Sequence, residues 1–277
     1  MRRVHLPTSL DALWPLLDDP QARVMAGGTD LLVRLRASLP AGPICCLERI
    51  PALRGVSVSG RIVRIGSATT LTELLESEDI AAGLPLLGAA VRQLGSPLVR
   101  NQATLGGNIC TASPAGDTLP ALYALGATLE LASQASTRAV PVENFITGPG
   151  RTVLRPGEIL AAVCVPLPDS GAIQHFEKMG RRRALAISVA SLAACLELDG
   201  GRIRRISLAL GSVAPTVLRC REAEEWLAGR ELTADNLTQA AELVQVAVHP
   251  VSDVRATADY RRQVAANLLL RLEAHRP

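Results

Sequence analysis

The feature that most constrains the fold is a change in the type of secondary structure near residue 172. Beyond it, two long apolar stretches at residues 187–198 and 203–211 are joined by Asp199-Gly200-Gly201, a strong signal for a β-hairpin. Two helices with N-capping threonines and apolar periodicity follow, at residues 233–247 and 257–274. The C-terminal part is therefore predicted to be an antiparallel sheet backed by helices.

The residues before this change alternate short strands with short helices, which excludes a simple helical bundle. A short helix capped by Ser9, a strand at residues 22–26 and a buried strand at residues 44–47 indicate a small βαβ-like unit. A hairpin through Ser59-Gly60 then begins a second unit. Three helices and two strands are predicted there, at residues 70–76, 85–94, 119–125, 127–132 and 158–165.

These patterns predict an α+β chain of two domains. The first domain would cover residues 1–170, with subdomains at about 1–55 and 56–170. The second would cover residues 171–277, after the linker sequence PLPDSGA.

Composition narrows the class of function. Of 277 residues, 48% are apolar and 20% are charged, which is sufficient for a buried core. The net charge of +3, without basic runs interleaved with aromatic residues, argues against nucleic-acid binding. No apolar stretch reaches the length of a signal peptide or a membrane span, so a cytoplasmic protein is expected. Six cysteines without a CxxC pair argue against an iron–sulfur or zinc site in this chain.

The most specific stretch is TLGGNICTASPAGD, at residues 104–117. Its paired glycines, Gly106 and Gly107, allow the main chain to approach a phosphate or a ring edge closely. Hydroxyl and amide side chains supply neutral donors, and Asp117 could accept hydrogen bonds from sugar hydroxyls. The alternative is that the glycines form a tight turn and that Asp117 only caps the following helix.

A second glycine pair changes the balance between these alternatives. The segment VMAGGTDL, at residues 24–31, follows a predicted strand, so its free N–H groups can form an anion-binding nest. Neither GxGxxG nor GxxxxGK[ST] is present, which argues against a Rossmann or P-loop fold. Two phosphate-binding turns of another fold are therefore indicated.

Together, AGGTDLL at residues 26–32 and TLGGNICTASPAGD resemble the two flavin-binding signatures of the FAD subunit of the xanthine dehydrogenase and carbon monoxide dehydrogenase family. The similarity extends along the chain. It includes GSPLVRNQATLGGN, GEILAAVCVP, FEKMGRRRALAISVAS and DYRRQVAANLLLR. The resemblance implies a two-subdomain FAD-binding domain of the vanillyl-alcohol-oxidase type. A C-terminal α/β domain with an antiparallel three-stranded sheet and helices would follow.

The resemblance also implies which residues contact a non-covalent FAD. Asp117 would bind sugar hydroxyls, Leu94 and Leu160 would lie near the ring system, and Lys178, or its neighbour Glu177, would approach the flavin. Leu94 stands where some relatives have an aromatic residue, so stacking is lost there. The remaining contacts would come from both glycine segments, at Val24, Met25, Ala26, Gly27, Gly28, Thr29, Asp30, Leu31, Thr104, Gly106, Gly107, Asn108 and Thr111.

Two groups of residues fall outside these motifs. None of the histidines, at positions 5, 175, 249 and 275, lies in a flavin motif, which argues against a covalent flavin link. The run Arg181-Arg182-Arg183 is either a docking patch or a solvated face.

By resemblance, the chain is the FAD subunit of a heterotrimeric molybdenum hydroxylase and forms a dimer of heterotrimers. A large subunit would hold the molybdenum cofactor and a small subunit the iron–sulfur clusters. Electrons would pass from the small subunit to NAD or another acceptor, with no catalytic acid or base in this chain. The alternatives are a flavin oxidoreductase that acts alone on a small substrate, and a scaffold that has lost FAD.

Overall fold

The computed structural model describes residues 3–37, 42–182 and 185–276. The first unit is a three-stranded parallel sheet with the strand order β1-β3-β2, from β1 (Val4–His5), β2 (Arg23–Met25) and β3 (Ile44–Cys46). Helix α1 (Leu10–Leu13) is capped by Ser9 and continues as a 3-10 turn, and α2 (Leu31–Ala37) connects β2 to β3. The predicted βαβ-like unit is thereby confirmed.

The second unit is a five-stranded antiparallel sheet with the strand order β4-β5-β10-β6-β7. Its strands are β4 (Val56–Ser59), β5 (Ile62–Gly66), β6 (Thr128–Ala132), β7 (Thr137–Pro141) and β10 (Ile159–Pro166). A separate small hairpin is formed by β8 (Ile146–Gly148) and β9 (Arg151–Thr152). The hairpin through Ser59-Gly60 and the strands at 127–132 and 158–165 were predicted, whereas β7, β8 and β9 were not.

Six helices lie between β5 and β6. They are α3 (Leu71–Glu76), α4 (Glu78–Gly83), α5 (Pro85–Arg92), α6 (Pro97–Arg100), α7 (Leu105–Thr111) and α8 (Thr118–Ala124). Helix α3 lies where a short helix was predicted, and it begins with a capping box between Thr70 and Glu73. The glycine pair at Gly106 and Gly107 lies inside α7, so the expectation of a turn or loop there is wrong.

The C-terminal sheet has four antiparallel strands in chain order, β11 (Ile173–Gly180), β12 (Ser188–Asp199), β13 (Arg202–Gly211) and β14 (Leu218–Arg219). The expected three-stranded sheet is thus extended by a two-residue fourth strand. Helices α9 (Arg221–Leu227), α10 (Ala234–Ala247) and α11 (Ala258–Leu270) cover its outer face, and a 3-10 turn ends the chain. The prediction of a helix-backed antiparallel sheet is confirmed.

The inner face of this sheet packs directly on the helices of the second unit. Phe176, Ala193 and Ala209 belong to the same apolar cluster as the buried residues of α5 and α8. The backbone N–H of Ser212 donates to the carbonyl oxygen of Pro114 at 2.9 Å, which fixes the end of β13 beside the second glycine segment. Across the described ranges, no helix is both long enough and apolar enough to cross a bilayer.

Candidate cofactor site

A cleft of about 360 Å³ lies between the first and second units. The first glycine segment packs closely against the residues just before the second one, because a Cβ atom on Gly27 would lie 1.6 Å from the carbonyl oxygen of Gln102. Most of the predicted cofactor contacts line this cleft, namely Val24, Met25, Ala26, Gly27, Gly28, Thr29, Asp30, Leu31, Leu94, Thr104, Gly107, Asn108 and Thr111. Segments far apart in the sequence are thus brought to one site, as in Thr111 and Asp30, which are 81 residues apart.

The first glycine segment presents free main-chain amides to this cleft. Within residues 3–37, 42–182 and 185–276, no backbone or side-chain acceptor binds the N–H groups of Gly27, Gly28, Thr29 or Asp30. Gly28 adopts φ +69°, a left-handed conformation that glycine tolerates without steric cost and that helps successive N–H groups to converge. Such a nest suits an anion.

The amides of the second glycine segment are already used inside the protein. Gly106 N–H donates to Ser67 O at 2.9 Å, Gly107 N–H to Thr104 Oγ1 at 3.1 Å, and Asn108 N–H to Thr104 O at 3.0 Å. The expectation that both segments contribute main-chain amides is therefore wrong for the second one. Thr104 caps helix α7, so these amides are used within the protein. The second segment instead contributes a main chain that lies close to the cleft, together with polar side chains.

The two glycines of this helix have different structural roles. A Cβ atom on Gly106 would lie 2.6 Å from Ser67 Cβ and 2.7 Å from Ser67 O, so this glycine permits α7 to pack on the end of β5. A Cβ atom on Gly107 would meet only Thr104 Oγ1, at 2.9 Å. Gly107 therefore leaves space in the cleft rather than in the core.

The polar side chains around the cleft form a short network. Asn108 Oδ1 accepts a hydrogen bond from Thr118 Oγ1 at 2.6 Å. The Nδ2 amide group of Asn108 therefore points away from Thr118. Thr111 Oγ1 donates to Asp30 Oδ2 at 3.2 Å, and Arg34 Nε lies 3.0 Å from the same oxygen. The negative charge of the Asp30 carboxylate is thus compensated by Arg34, so the cleft as a whole can accept an anion.

A smaller apolar pocket of about 140 Å³ adjoins the cleft and shares Val24, Ala26, Gly107 and Cys110 with it. Leu160 and Gly106 line this pocket, whereas Leu94 lines the main cleft. Leu94 and Leu160 thus line two adjoining cavities, and their position near one ring system stays a prediction. Ser67 also lines the pocket, and its Oγ is buried without a hydrogen-bond partner among the described residues.

Glu158 lies at the edge of the same pocket and is held in place by three charge-assisted hydrogen bonds. Arg138 donates from Nε and from a terminal nitrogen at 2.8 Å each, and the Arg155 N–H donates at 2.8 Å. The hydrogen bonds from Arg138 are the main reason that the pKa of Glu158 falls to about 2. This carboxylate is therefore an ionised structural anchor.

Asp117 and Lys178 form a buried ion pair, 2.6 Å between Oδ2 and Nζ, with side chains 8% and 5% exposed. Burial raises the pKa of Asp117 to about 6, although Lys178 opposes this effect. Lys178 Nζ also donates to Gln93 O at 3.1 Å, and Asp117 Oδ1 has no partner in the described part of the chain. Neither residue lines the main cleft, but Lys178 and Gln93 line a third cavity of about 370 Å³.

The alternation of side chains along β11 separates Lys178 from its neighbour. Glu177 lies on the opposite face, where its carboxylate is 3.5 Å from His175 Nε2 and 3.5 Å from Arg271 Nε. Lys178 is thus the residue that faces the second glycine segment.

Sequence reasoning missed several residues of the site. Arg34 lines the cleft, and its spacing of four residues from Asp30 on a helix was a usable signal. Ser67 and Glu158 gave no such signal, since each is placed by tertiary contacts. The remaining apolar lining of the main cleft and the smaller pocket comes from several elements. It includes Leu47, Val99, Ala103, Cys110, Leu154 and Ile159.

The arginine run does not reach the cleft. Arg181 donates to Val254 O at 3.1 Å, and Arg182 donates to Leu185 O at 2.7 Å. Both are exposed, and Arg183 lies outside the described residues. Whether they contact a partner stays a prediction.

Free main-chain amides in a cleft between two units are typical of proteins that bind an anionic ligand such as a nucleotide cofactor. Residues 1–168 match the family described as FAD binding domain in molybdopterin dehydrogenase, and residues 174–274 match the CO dehydrogenase flavoprotein C-terminal domain. The chain belongs to the family of FAD-binding medium subunits of xanthine dehydrogenase and carbon monoxide dehydrogenase. The resemblance inferred from the sequence is confirmed, and the chain is an oxidoreductase subunit.

Individual relatives are similar over nearly their whole length. The xanthine dehydrogenase FAD-binding subunit of Escherichia coli O157:H7 is 37% identical over 258 residues, 92% of this chain and 88% of that protein. The carbon monoxide dehydrogenase medium chain of Hydrogenophaga pseudoflava is 32% identical over 271 residues, 96% and 94% of the two chains. The reconstituted CO dehydrogenase from Oligotropha carboxidovorans has a chain with a TM-score of 0.94 and 31% identity, covering 98% of this chain and 96% of that one.

Proposed function

We propose that the chain holds one non-covalent FAD with its pyrophosphate on the amides of residues 27–30. The observation that carries this proposal is the set of N–H groups on Gly27, Gly28, Thr29 and Asp30 that have no acceptor in the described chain and line the cleft. Unpaired amides are costly in a folded protein unless a ligand or water binds them. Gly107 supports the proposal from the other wall, where it leaves space for the cofactor.

The sizes of the cavities support an orientation for the cofactor. The pocket of about 140 Å³ beside Leu160 suits the two-ring adenine better than the three-ring flavin. The unpartnered Ser67 Oγ in that pocket offers a polar contact for a purine edge. The flavin ring would then lie past Leu94, towards the third cavity, which Gln93 and Lys178 line.

Charge also supports a bound pyrophosphate. Arg34 lines the cleft and is already paired with Asp30 at 3.0 Å, so the pair adds no net negative charge beside the nest. An arginine at this position can also form charge-assisted hydrogen bonds with phosphate oxygens. Asp117, Thr104, Asn108 and Thr111 would contact the sugar and ribityl groups.

The wider function proposed is that of the electron-transfer subunit of a molybdenum hydroxylase complex. Bound FAD supplies two-electron redox chemistry, and the chain binds it, orients it and shields one side of it from water. The partners would be a molybdenum-cofactor large subunit and an iron–sulfur small subunit, assembled as a dimer of heterotrimers in the cytoplasm. Electrons would arrive from the small subunit and leave to NAD or another acceptor.

The replacement Gly107→Val tests the cofactor site directly. The branched side chain would occupy the cleft, so we expect visible flavin absorbance to be lost from the purified chain. Ala82→Val is a matched control, because it places the same side chain at an exposed position of the short helix α4. Both variants should show similar far-ultraviolet circular dichroism. Full flavin occupancy in Gly107→Val would overturn the assignment of this wall of the cleft.

The stand-alone oxidoreductase is distinguished by a second measurement. The full chain, loaded with FAD but without partner proteins, should not be reduced by small substrates of molybdenum hydroxylases. Substrate-dependent bleaching of the flavin in the lone chain would favour direct oxidation at the flavin instead.

A further inference from the structure

The ion pair between Asp117 and Lys178 is not explained by stability. Both side chains are almost completely buried, and Asp117 Oδ1 has no hydrogen-bond partner in the described residues. Removing two charges from water costs about as much as their attraction returns, so a well-packed apolar pair would serve stability equally well. A buried pair with an unsatisfied oxygen therefore invites a functional explanation.

The position of the pair indicates what that function is. Lys178 comes from β11 of the C-terminal sheet, whereas Asp117 directly precedes α8 and ends the second glycine segment. The ammonium group also binds the carbonyl oxygen of Gln93, the neighbour of Leu94 in the cleft wall. The pair thus lies at the end of the cleft where the flavin ring is placed by the proposed function.

We propose that Asp117 is a positioning residue for Lys178, and that this ion pair sets the reduction potential of the flavin. The inference rests on the proposed orientation of FAD. The carboxylate holds the ammonium group at the ring end of the cleft and offsets part of its charge. The unpartnered Asp117 Oδ1 remains available to a ribityl hydroxyl, which ties the pair to the cofactor.

The sign of the effect follows from charge. Two electrons from a one-electron iron–sulfur donor, together with one proton from solvent, convert the neutral oxidised ring into a reduced ring with one negative charge. A nearby ammonium favours that product, and a nearby carboxylate disfavours it. Loss of the carboxylate should therefore raise the potential, and loss of the ammonium should lower it.

The experiment compares Asp117→Asn, Lys178→Met and the double variant in the full chain loaded with FAD. Potentials are measured by dithionite titration against a reference dye, with flavin occupancy measured in the same samples. We expect each single variant to change the reduction equilibrium at least tenfold, about 30 mV for a two-electron couple. Asp117→Asn should shift towards the reduced form and Lys178→Met towards the oxidised form, with the double variant between them.

A purely structural role predicts a different result. Disruption of packing would lower flavin occupancy in both single variants without moving their potentials in opposite directions. Equal potentials, or shifts of the same sign, would overturn the inference. If only one single variant retains FAD, the sign of its shift alone tests the inference, since each variant has a predicted sign. Lys178→Arg keeps the positive charge, so its reduction equilibrium should stay within threefold of the wild-type value. Failure of the wild-type chain to bind FAD would instead contradict the proposed function.

Discussion

Replacement of Glu158 by Gln is expected to destabilise the FAD-free chain in a way that depends on pH. Glu158 accepts two hydrogen bonds from Arg138 and one from the Arg155 N–H, each at 2.8 Å. These contacts join β7 to the segment before β10, next to the proposed adenine pocket. A neutral amide cannot accept the two-pronged guanidinium contact on both of its polar atoms.

The lowered pKa of Glu158 sets an upper limit on the loss of stability in this variant. The pKa of Glu158 is lowered from 4.5 to about 2, chiefly by the hydrogen bonds from Arg138. Since one pKa unit corresponds to about 1.36 kcal/mol, the ion pair contributes at most about 3 kcal/mol. Arg138 is 29% exposed and therefore partly screened by water, which reduces the expected loss to about 2 kcal/mol. For a chain of this size, that corresponds to roughly 5 °C in Tm.

The pH dependence has a defined sign. Because the folded-state pKa is depressed, the stabilisation is complete above pH 4.5, the unfolded value, and is lost as the pH falls towards 2. The difference in Tm between the wild-type chain and Glu158→Gln, measured by circular dichroism at pH 7, 4 and 3, should therefore shrink with acidification. Glu242→Gln, an exposed helical position, is the control and should have little effect at any pH. A difference as large at pH 3 as at pH 7 would refute the reasoning.

Three further predictions concern other parts of the chain. Thr70→Ala removes the capping box of α3 and should cost about 1 kcal/mol, seen as a lower urea midpoint. Ser212→Gly should raise stability by about 0.5–1 kcal/mol in the same assay, because Ser212 adopts φ +65° and its Oγ has no partner in the described residues. Arg34→Ala should weaken FAD binding about tenfold, or about 1.4 kcal/mol, and reduce its dependence on salt, measured by fluorescence titration; unchanged affinity would exclude Arg34 from the phosphate site.

The elements predicted best from the sequence are those whose local signals agree with their tertiary surroundings. The hairpin through Asp199-Gly200-Gly201 joins β12 to β13, and the apolar runs on both sides become buried strands. The convergence of the two glycine segments was also predicted, by resemblance and by the physics of paired glycines. In each case, the residues that determine the local conformation also make the tertiary contacts of the folded chain.

Helix α7 shows where local reasoning fails. Two consecutive glycines are poor helix formers, each costing about 1 kcal/mol relative to alanine. The helix forms because Thr104 caps it and because the absence of a side chain on Gly106 permits contact with Ser67. The sequence alone does not show which of two glycines packs against the protein and which lines the cleft.

Strand β11 was not located from its residues for a related reason, although the resemblance implied a third strand. Its residues IQHFEKMG lack the apolar alternation of a half-buried strand, because polar side chains on both faces find specific partners. Lys178 pairs with Asp117 on one face, and Glu177 contacts His175 on the other. Pairing across 61 residues of sequence leaves no local periodic signal.

The docking of the C-terminal sheet has a consequence for how the cofactor site forms. Lys178 binds Asp117, the Ser212 N–H binds Pro114 O, and Phe176 enters the apolar cluster of the preceding unit. Residues assigned to the domain 171–277 thus pack beside a cleft lined by residues of the domain 1–170, and this division of the chain stays a prediction. Because these contacts hold the second glycine segment, which lines the cleft, FAD binding should stabilise the docking of the two parts, and a weakened docking surface should lower the affinity for FAD by the same free energy.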